Sequence, residues 1–465
     1  MEMTKILVVS HDTIASKMAG PGIRYLEMAR VLSQHFPVTL ATPSPVDLEI
    51  PGVKTHPYLP GQMQTMDTLV HEADVVIIPG PLWKHFPNFQ AIEKPLVVDL
   101  YNPFTLENLE RHAHQPMDDQ LACYEAVLGE FNHQLGMGDF FICATERQRD
   151  FYLGLLQASG RLNPLTYGDD RSLRRLIDVV PSGLPSEPPY HERPVLKGMK
   201  PGIVQEDKIV LFWGGLWDWL DQVTPIKAIE ELAPRRTEVK LVFPWVAHPD
   251  KAHVPVMESQ LEAMQLSKDL GLWNKHVFFV DWVPYQKRQN YLLEADIGLS
   301  CHGDSLEARF SFRTRFLDYM WAQVPIIATK GDVMSEMVEQ HNLGITVSPK
   351  DPNQLAGAIL NLIDDQSRNH ACRDHLAHLC PSFTWDKVVR PLVQFCRDPY
   401  RSPDRHLLGQ TANSILIKYL RARLEAQERE LIALRDLVQG YERGRFMRFI
   451  AKVQSAKNRF LDKGS

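Results

Sequence analysis

Short apolar runs alternate with helical stretches along most of the chain, and the whole pattern occurs twice. Continuous apolar runs of this length are typical of strands that are buried on both faces of a parallel sheet, and helices form the crossovers between such strands. The sequence therefore predicts an α/β protein with two doubly wound Rossmann-like domains. The runs are at residues 5–10, 38–41, 74–78, 95–99, 140–143 and 176–180, and then at 208–213, 239–243, 277–280, 297–300, 325–328 and 344–347.

The predicted helices lie between these runs. They are expected at residues 23–32, 106–136, 224–232, 285–295 and 311–322. A segment rich in proline and glycine separates the two series and is typical of a linker. We therefore predict the following divisions: a first domain over 1–187, a linker over 188–203, a second domain over 204–382, a further helix over 383–397 and a helical tail over 404–465.

Composition is that of an ordinary globular protein. The 465 residues are 44% apolar and 23% charged, so each predicted domain has enough apolar side chains for a core. The formal net charge of −6 gives no reason to expect nucleic-acid binding. Six cysteines occur without a C-x-x-C pair, and the sequence contains neither a membrane-spanning apolar stretch nor a signal-peptide pattern. We therefore expect a cytoplasmic protein.

A glycine-containing segment follows the first strand of each predicted domain. Gly20-Pro21-Gly22, with Arg24 shortly after it, precedes the first helix, where unpaired backbone N–H groups can bind an anion. Gly214-Gly215 lies in the corresponding place of the second domain and lacks the Cβ atoms that would keep a diphosphate or a sugar away, while Trp217 is able to stack on a ring. The alternatives are a tight turn in the first case and packing of tryptophans against the opposite domain in the second.

The most informative segment, residues 307–322, is polar and opens a predicted helix. Ser311 is its predicted N-cap, which would direct backbone N–H groups and the positive end of the helix dipole into a cleft. Arg313 and Arg315 would place two cations in the first turn, where they disfavour the helix unless an anion is bound. Guanidinium groups match the geometry of phosphate, so the segment predicts a phosphate site. A surface network, in which these arginines pair with acidic residues of the same segment, is the alternative.

Taken together, these pieces resemble the family 4 glycosyltransferases, often called group 1, whose GT-B architecture consists of two facing Rossmann-like domains. The resemblance runs over about residues 4–397, and the helix at 383–397 resembles the family's terminal helix, which crosses back onto the first domain. The order and spacing of several segments carry it. These segments are 20–22, 180–185, 214–215, 277–283, 294–298 and 310–329.

The resemblance implies an enzyme that transfers a sugar from a nucleotide-diphosphate sugar to a glycan, lipid or protein acceptor. It further implies retention of anomeric configuration, no obligatory metal ion and no other cofactor. The first domain would hold the acceptor and the second the nucleotide sugar. From the residues and the resemblance together, the nucleotide sugar is expected to contact Gly20, Gly22, Arg24, Gly214, Gly215, Trp217, Ser311, Phe312, Arg313 and Arg315.

Two departures from the family pattern bear on catalysis. Asp318 stands where the family has its second motif glutamate, but the residue eight positions earlier is Phe310 instead of a glutamate, and Glu307 is three residues before that. The basic residue that usually follows the Gly-Gly loop is also missing. We therefore expect Arg313 and Arg315 to supply the cations.

Candidates for a role in catalysis come from both domains. Asp99 follows one strand of the first domain, and Glu146 and Arg147 follow another, so each is a candidate to assist deprotonation of the acceptor. A helix cap or an ion pair is the alternative role for each. With Glu307 and Asp318 of the second domain, the candidate catalytic acids are therefore Asp99, Glu146, Glu307 and Asp318.

The tail is a different kind of sequence. Its apolar positions recur at alternating spacings of three and four, which predicts a coiled coil or a helix docked on its own protein. Residues 441–465 contain seven Lys or Arg and two acidic residues, a net charge of +5, and their apolar residues share one helical face. We expect self-association or peripheral contact with the inner face of a membrane. The heptad positions are Ile417, Leu420, Leu424, Gln427, Leu431, Leu434 and Val438.

Two classes of function follow from these observations. The first is an active glycosyltransferase of polysaccharide, glycolipid or glycoprotein synthesis. The second is a catalytically inactive GT-B-like assembly subunit of a glycan-synthesis complex, for which Phe310 is the main support. A different enzyme on the same scaffold, such as a nucleotide-sugar epimerase, is a third alternative.

Overall fold

The computed structural model describes residues 3–58, 63–80, 92–244, 256–405, 420, 423–438, 444, 448–450 and 452–454. Its contacts divide the chain into two units, residues 1–408 and residues 409–465. The first unit contains two lobes, each built on a parallel sheet, and the second unit is the tail.

The first lobe is built on a sheet that has seven strands within the described ranges. Its order is β3-β2-β1-β4-β5-β6-β7, with every pair parallel, and the direction of winding reverses between β1 and β4. Strands β1, β4, β5 and β6 are buried at every position. The strands are β1 (Ile6–Val9), β2 (Val38–Thr42), β3 (Val53–Pro57), β4 (Val75–Pro79), β5 (Leu96–Asp99), β6 (Phe140–Cys143) and β7 (Ile177–Val179).

The second lobe repeats this plan with six strands among the residues that the structure describes. The order is β10-β9-β8-β11-β12-β13, again parallel throughout, and the winding reverses between β8 and β11. The prediction of two doubly wound α/β sheets is therefore confirmed. The strands are β8 (Lys208–Leu211), β9 (Val239–Pro244), β10 (Val277–Val280), β11 (Ile297–Ser300), β12 (Ile326–Thr329) and β13 (Gly344–Val347).

Helices cover both sheets. In the first lobe they are α1 (Gly20–Ser33), α2 (Met63–Glu72), α3 (Phe104–His112), α4 (Met117–Met137), α5 (Glu146–Ala158) and α6 (Pro164–Asp169). After the first lobe they are α7 (Val223–Leu232), α8 (Glu258–Asp269), α9 (Arg288–Leu293), α10 (Leu306–Phe310), α11 (Arg315–Trp321), α12 (Val333–His341), α13 (Pro352–Asp364), α14 (Gln366–Leu379), α15 (Trp385–Val388) and α16 (Arg390–Arg397). Short 3₁₀ turns are at Tyr285–Lys287 and Cys380–Phe383.

Three predicted elements differ from the observed ones, and one observed strand was not predicted. The single helix expected over 106–136 is two helices, because Pro116 has no N–H group to continue α3 and starts α4 instead. Gly20-Pro21-Gly22 is the first turn of α1 and not a loop before it. The helix expected over 285–295 is a 3₁₀ turn followed by α9. Strand β3 was not predicted, because it lies at the sheet edge with mostly exposed side chains and has no apolar run.

The segment between the lobes is anchored on the second lobe. The Glu294 carboxylate accepts hydrogen bonds from the backbone N–H groups of Val195, Leu196 and Lys197, at 2.7 to 2.8 Å. Leu196 is completely buried in the core of that lobe. These contacts hold the proline-rich stretch, which by its composition alone would be free to move.

Helices α15 and α16 return to the first lobe. Residues 383–385 pair with the segment after β7 through Leu184, whose backbone N–H and C=O bond Phe383 and Trp385. A Cβ atom on Gly183 would lie 2.8 Å from the Cα of Trp385, so only glycine allows this approach. The rings of Phe140 and Phe395 then stack at 4.9 Å between centroids.

The tail unit, taken by itself, contains a helix over residues 423–438 whose side chains are all exposed. Heptad position Ile417 and most of the basic segment 441–465 lie outside the described residues. Of the helices that could be searched, none combines the length and apolar character that crossing a membrane requires.

Candidate active site

A cleft of about 380 Å³ lies between the two lobes. It is lined by residues that follow β1, β5 and β7 of the first lobe and by residues that follow β8 and β11 of the second. Ligands of doubly wound sheets bind beyond the carboxyl ends of the strands, beside the point where the winding reverses. The cleft therefore occupies the place where this architecture is expected to bind a ligand.

The loop after β8 forms one wall of the cleft. Gly214 and Gly215 have φ angles of 93° and 85°, in the left-handed region that favours glycine. The Trp217 indole N–H donates to the Gly214 carbonyl at 3.0 Å, and its ring stacks on Trp219 with 5.3 Å between centroids. The Tyr319 hydroxyl accepts from the Trp213 N–H at 2.9 Å. Gly214 and Trp217 line the cleft, whereas Gly215 does not.

The predicted helix over 311–322 is interrupted, and Ser311 is not its N-cap. Ser311 ends α10 with extended backbone angles, and α11 starts only at Arg315, after Thr314. The Ser311 hydroxyl donates to the Glu307 carboxylate at 2.5 Å. Between the two helices, the Phe312 ring is buried in a hydrophobic cluster made mostly of second-lobe residues. Both Ser311 and Phe312 line the cleft.

Arg313 is paired within the same segment. Its two terminal nitrogens bond both oxygens of Glu307, at 3.1 and 2.6 Å, and both side chains are buried. The pairing of Arg313 with Glu307 that the sequence left as an alternative therefore exists, but it is a buried ion pair and not a surface network. Arg313 still lines the cleft, with its charge balanced by Glu307.

Arg315 is buried without a partner. No side chain within the described ranges forms a hydrogen bond or an ion pair with its guanidinium, and its Nη1 has no hydrogen-bond partner. The group lies 4.7 Å from the centroid of the Phe212 ring and beside Gly214. Burial lowers the pKa of Arg315 to about 10, which still leaves the guanidinium charged at neutral pH. The cleft therefore contains a buried positive charge that has no anionic partner among the described residues.

Asp318, at the position of the family's second glutamate, is held between two donors. One carboxylate oxygen accepts from the Trp213 indole at 2.9 Å, and the other accepts from Arg288 Nε at 3.0 Å. Arg288 was not predicted, and it is sandwiched by Tyr285 and Trp321 at 3.9 and 4.4 Å from their ring centroids. All of these contacts are at the second lobe's face of the cleft. No local motif marks Arg288, because its partner is thirty residues away.

The glycines and the arginine at the start of α1 have different positions. Gly20 lines the cleft, and a Cβ atom there would lie 3.9 Å from the Thr314 hydroxyl of the opposite lobe. Gly22 faces the other way, where a Cβ atom would come within 2.5 Å of the Thr13 carbonyl. Arg24 is buried below the cleft and pairs with Asp99, at 2.6 Å between Nε and Oδ2 and 2.9 Å between Nη2 and Oδ1.

Two acidic candidates of the first lobe do not line the cleft. Asp99 is completely buried and accepts from Arg24 and from the Tyr25 hydroxyl at 3.1 Å. Glu146 is exposed and pairs with Arg174 at 2.8 Å. Arg147, beside it, bonds Glu336 of the second lobe. The ion-pair role that the sequence left open for these residues is therefore the one that the structure contains.

Glu107, like Asp12, is an acidic residue of the first lobe's cleft wall that sequence reasoning missed. It lies on α3, lines the cleft, and accepts a hydrogen bond from Asn102 at 3.1 Å. Burial raises the pKa of Glu107 to about 7, and the charge of Glu307 across the cleft adds to the rise. The sequence offers only a polar helix after β5, and nothing local distinguishes Glu107 from the neighbouring Glu110.

Phe310, at the position of the family's first glutamate, packs between the lobes. Its ring lies 4.7 Å from that of Phe151, on α5 of the first lobe. Its backbone carbonyl accepts from the Gln148 side chain at 2.8 Å. The Phe310 side chain is not part of the cleft lining.

The cleft thus brings together nine of the fourteen residues expected at the site. The nine are Gly20, Gly214, Trp217, Glu307, Ser311, Phe312, Arg313, Arg315 and Asp318, and the other five, Gly22, Arg24, Asp99, Glu146 and Gly215, lie outside its lining. Over the part of the chain that the structure describes, no group of three or more His, Cys, Asp or Glu side chains is arranged to hold a metal ion.

Comparison with known proteins assigns the second lobe to a family. Residues 207–365 match the model of the family described as "Glycosyl transferases group 1". The second lobe is similar to group 1 glycosyltransferases over these residues. The resemblance recognised in the sequence is confirmed over this segment, and with the fold it supports glycosyltransferase activity. No curated protein sequence matches the chain.

Solved structures extend the likeness to both lobes of this glycosyltransferase fold. Sucrose-phosphate synthase from Thermosynechococcus elongatus is 16% identical, with a TM-score of 0.59 over 85% of this chain and 98% of that one. Anabaena Alr3699/HepE, in complex with UDP-glucose, is 16% identical, with a TM-score of 0.57 over 84% and 98%. WaaG, a glycosyltransferase involved in lipopolysaccharide biosynthesis, is 14% identical, with a TM-score of 0.59 over 85% and 100%. At these identities the likeness establishes the fold, which is GT-B as predicted.

Proposed function

We propose that the protein transfers a sugar from a nucleotide-diphosphate sugar to a glycan, lipid or protein acceptor bound on the first lobe. The family of residues 207–365 and the bound UDP-glucose of the structurally similar HepE support a nucleotide sugar as the donor. The cleft is large enough for such a ligand and has aromatic and cationic groups on the same wall. The proposal makes this cleft the active site.

The observation that carries the proposal is the unpartnered Arg315 guanidinium. A charge that is removed from water without a partner is costly, and an anion in the cleft would offset that cost. Arg315 lies beside Gly214, where the missing Cβ atom leaves room for a diphosphate. Glu307 already neutralises Arg313, so among the described cleft-lining residues of the segment the unpaired cation is Arg315. We assign the diphosphate to Arg315.

The other groups of the same wall suit the rest of a nucleotide sugar. The Asp318 carboxylate has free lone pairs besides those that bind Trp213 and Arg288, and it is available to ribose hydroxyl groups. The stacked pair of Trp217 and Trp219 offers an apolar face for a ring. During transfer, negative charge grows on the departing diphosphate, and the preorganised Arg315 would stabilise it.

Glu107 is our candidate for the group that removes the proton from the acceptor hydroxyl. It is on the first lobe's wall, opposite Glu307 and Arg313, where an acceptor would meet the sugar. A carboxyl group with a pKa near 7 is ionised in part of the molecules at neutral pH and is basic enough to accept a proton. Asp99 and Glu146 are not assigned this role, because neither lines the cleft.

Retention of anomeric configuration and independence of divalent metal ions are part of the same proposal. They rest on the family resemblance and on the cationic side chains, which can neutralise a diphosphate in place of a metal ion. Product anomers resolved by NMR, and transfer measured with and without a chelator, test these two features.

Isothermal titration of the full chain with nucleoside diphosphates and nucleotide sugars tests the donor site. UDP, GDP and ADP with their glucose conjugates form the panel. Arg315→Gln removes the unpaired cation and is expected to weaken diphosphate binding by about 30-fold or more, since charged hydrogen bonds contribute about 2 kcal/mol. Arg315→Lys keeps the charge without the guanidinium fork and should have an intermediate effect.

Arg309→Gln is the matched control. It removes the same charge six residues away, from a side chain that is exposed and outside the cleft lining. Diphosphate affinity should be unchanged in this variant. Equal affinity of wild-type protein and Arg315→Gln for every diphosphate would overturn the assignment of the donor site.

A catalytically inactive assembly subunit is the second candidate function. Phe310, where the family has a glutamate, is committed to packing against Phe151 and supports this alternative. One set of measurements distinguishes the two candidate functions. Donor binding that depends on Arg315, with no hydrolysis or transfer to any acceptor of a glycan panel, would favour the subunit.

A reducing compartment such as the cytoplasm suits this function. All six cysteines have free thiols, and burial raises the pKa of five of them, at Cys143, Cys301, Cys372, Cys380 and Cys396, which keeps these thiols unreactive. Nucleotide sugars would be supplied there by reactions that activate sugar phosphates.

A further inference from the structure

The tail helix over 423–438 has an apolar seam that is not covered. The seam positions Leu424, Leu431, Leu434 and Val438 are between 52% and 58% exposed. Together with Gln427 they recur at spacings of three and four, so they follow one side of the helix. Leaving four large apolar side chains in water on one stripe is unfavourable, and such a stripe marks an interaction surface.

The period of the seam indicates what covers it. Apolar positions that recur every 3.5 residues stay in contact with a second helix of the same period through a left-handed supercoil. With Leu424, Leu431 and Val438 at the first core position of the heptad, Gln427 and Leu434 occupy the second. The flanking positions then hold Arg423, Glu430 and Leu437 on one side and Glu428 and Arg435 on the other.

These flanking charges distinguish the two orientations of a pair of identical helices. In a parallel pair, each residue on one side meets the residue five positions later on the partner helix. Arg423 would therefore meet Glu428 of the second copy, and Glu430 would meet Arg435, so both contacts are attractive. In an antiparallel pair that overlaps the same seam, Glu428 would face Glu428 of the second copy, and Glu430 would face Glu430 of the second copy. Both contacts are repulsive.

Gln427 favours the same orientation. In a parallel pair it faces the identical residue, and two side-chain amides can hydrogen-bond to each other inside the seam. In the antiparallel pair it would face Leu431 and leave a buried amide unsatisfied, which costs free energy.

We propose that the tail helix binds a second copy of this chain as a parallel, in-register two-stranded coiled coil. The protein is then a homodimer whose two glycosyltransferase units are joined through residues 423–438. This inference does not depend on the proposed donor or acceptor, because it rests only on the seam and on the charges that flank it.

Light scattering on the full chain after size-exclusion chromatography tests the oligomeric state. The expected mass is twice that of the 53.2 kDa chain. Leu431→Asp places a charge in the seam and should raise the dissociation constant by about 100-fold or more. Ile432→Asp is the matched control, since Ile432 is the next residue, is 57% exposed against 54% for Leu431, and lies off the seam. The control should remain a dimer.

Charge variants test the pairing of the helices. Glu428→Arg with Glu430→Arg makes the four charged flanking positions all basic, and Arg423→Glu with Arg435→Glu makes them all acidic. Each double variant alone should be monomeric, and an equimolar mixture should recover the mass of a dimer. Self-association of either double variant as tight as that of wild-type protein would contradict the proposed pairing.

A cysteine substitution tests the orientation. Gln427→Cys should form a disulfide with its own copy under mild oxidation only in the parallel arrangement, while wild-type protein under the same conditions should not cross-link. A dimer that fails to cross-link overturns the parallel orientation.

A wild-type monomer overturns the proposal. Sedimentation of that monomer with phosphatidylserine vesicles, if it is lost in Leu431→Asp, would identify a membrane as the surface that covers the seam.

Discussion

The side-chain amide of Gln148, on α5 of the first lobe, donates a hydrogen bond of 2.8 Å to the backbone carbonyl of Phe310, in the second lobe. The same amide nitrogen also bonds the Tyr101 carbonyl, and the amide oxygen accepts from Ala144. Gln148 is completely buried, so all of its polar atoms are committed to these contacts. Phe310, where the family resemblance implies a glutamate, is therefore used here to join the lobes.

This contact predicts the effect of restoring the family residue. Phe310→Glu would place a carboxylate against the Phe151 ring, outside the cleft lining. We expect a loss of about 1–3 kcal/mol in the free energy of unfolding and no gain in sugar transfer, since the new charge is desolvated without facing the donor. Chemical denaturation and an initial-rate transfer assay on the same preparations measure both quantities.

Phe310→Leu is the control for this prediction. It keeps an apolar side chain between the lobes and should cost about 1 kcal/mol with transfer preserved. A Phe310→Glu protein with higher transfer activity than wild type would contradict our interpretation of the site. It would support the loss of a catalytic glutamate at this position during evolution.

The buried strands and the second-lobe wall of the cleft could be predicted from the sequence because their signals are local. Each strand in the middle of a sheet is a continuous apolar run, and Gly214, Arg315 and Asp318 follow such runs. Strand β3 gave no such signal, because an edge strand with exposed side chains has no apolar run.

Long-range pairing is what the sequence did not reveal. Asp99 is the last residue of β5 and Arg24 lies on the helix after β1, which are places expected of site residues, yet they neutralise each other across 75 positions. Ser311 has the residue type of an N-cap but is bound by Glu307 instead. The pKa of Glu107 is raised first by burial and then by the charge of Glu307, two hundred positions away, and nothing in a helix of ordinary polar composition indicates either effect.

Glu107 predicts a pH dependence of sugar transfer. As a base, Glu107 has to be ionised, and because its pKa is about 7, kcat should rise as the pH increases through 7 and then level off. Glu107→Gln is expected to lower kcat by about 100-fold or more and to abolish this acidic limb, with donor affinity retained.

Glu110→Gln provides the comparison for this pH profile, since Glu110 is on the same helix but does not line the cleft. Its profile should match that of the wild type. An acidic limb that persists unchanged in Glu107→Gln would assign the titration to another group and remove Glu107 from the mechanism.

Substitutions of Asp99 and Glu146 should differ in their effect on the free energy of unfolding, and neither should cause the loss of kcat expected for a general base. Asp99→Asn breaks a completely buried ion pair with Arg24 and is expected to cost about 3–5 kcal/mol of unfolding free energy. Glu146→Gln breaks an exposed pair with Arg174 and should cost about 1 kcal/mol or less. For both variants, kcat at a temperature where the protein is folded should fall by less than about tenfold, whereas loss of a general base costs about 100-fold or more.

Arg161 and Asp404 join the end of the first unit to the first lobe through a fully buried pair. Asp404 accepts from Arg161 Nε at 3.0 Å and Nη2 at 3.1 Å, and also from Ser402 and Asn163. Burial opposes ionisation of Asp404, but the hydrogen bonds and the charge of Arg161 outweigh it and lower the pKa of the carboxyl group. The pair therefore stabilises the folded protein above the ordinary pKa of an aspartate.

Asp404→Asn is expected to cost about 3–5 kcal/mol of unfolding free energy at neutral pH, because it leaves the Arg161 charge buried and unpaired. As the pH falls through the lowered pKa of Asp404, wild-type protein loses the same contribution, so the difference between the two proteins should shrink in acid. Urea denaturation at a series of pH values measures this difference.

Asp386→Asn is the control. Among the residues described, this exposed carboxyl group is bonded only to the Ser186 hydroxyl, so the variant should differ little from wild type at every pH. A difference for Asp404→Asn that stays constant down to strongly acidic pH would show that the carboxylate charge contributes nothing to the contact.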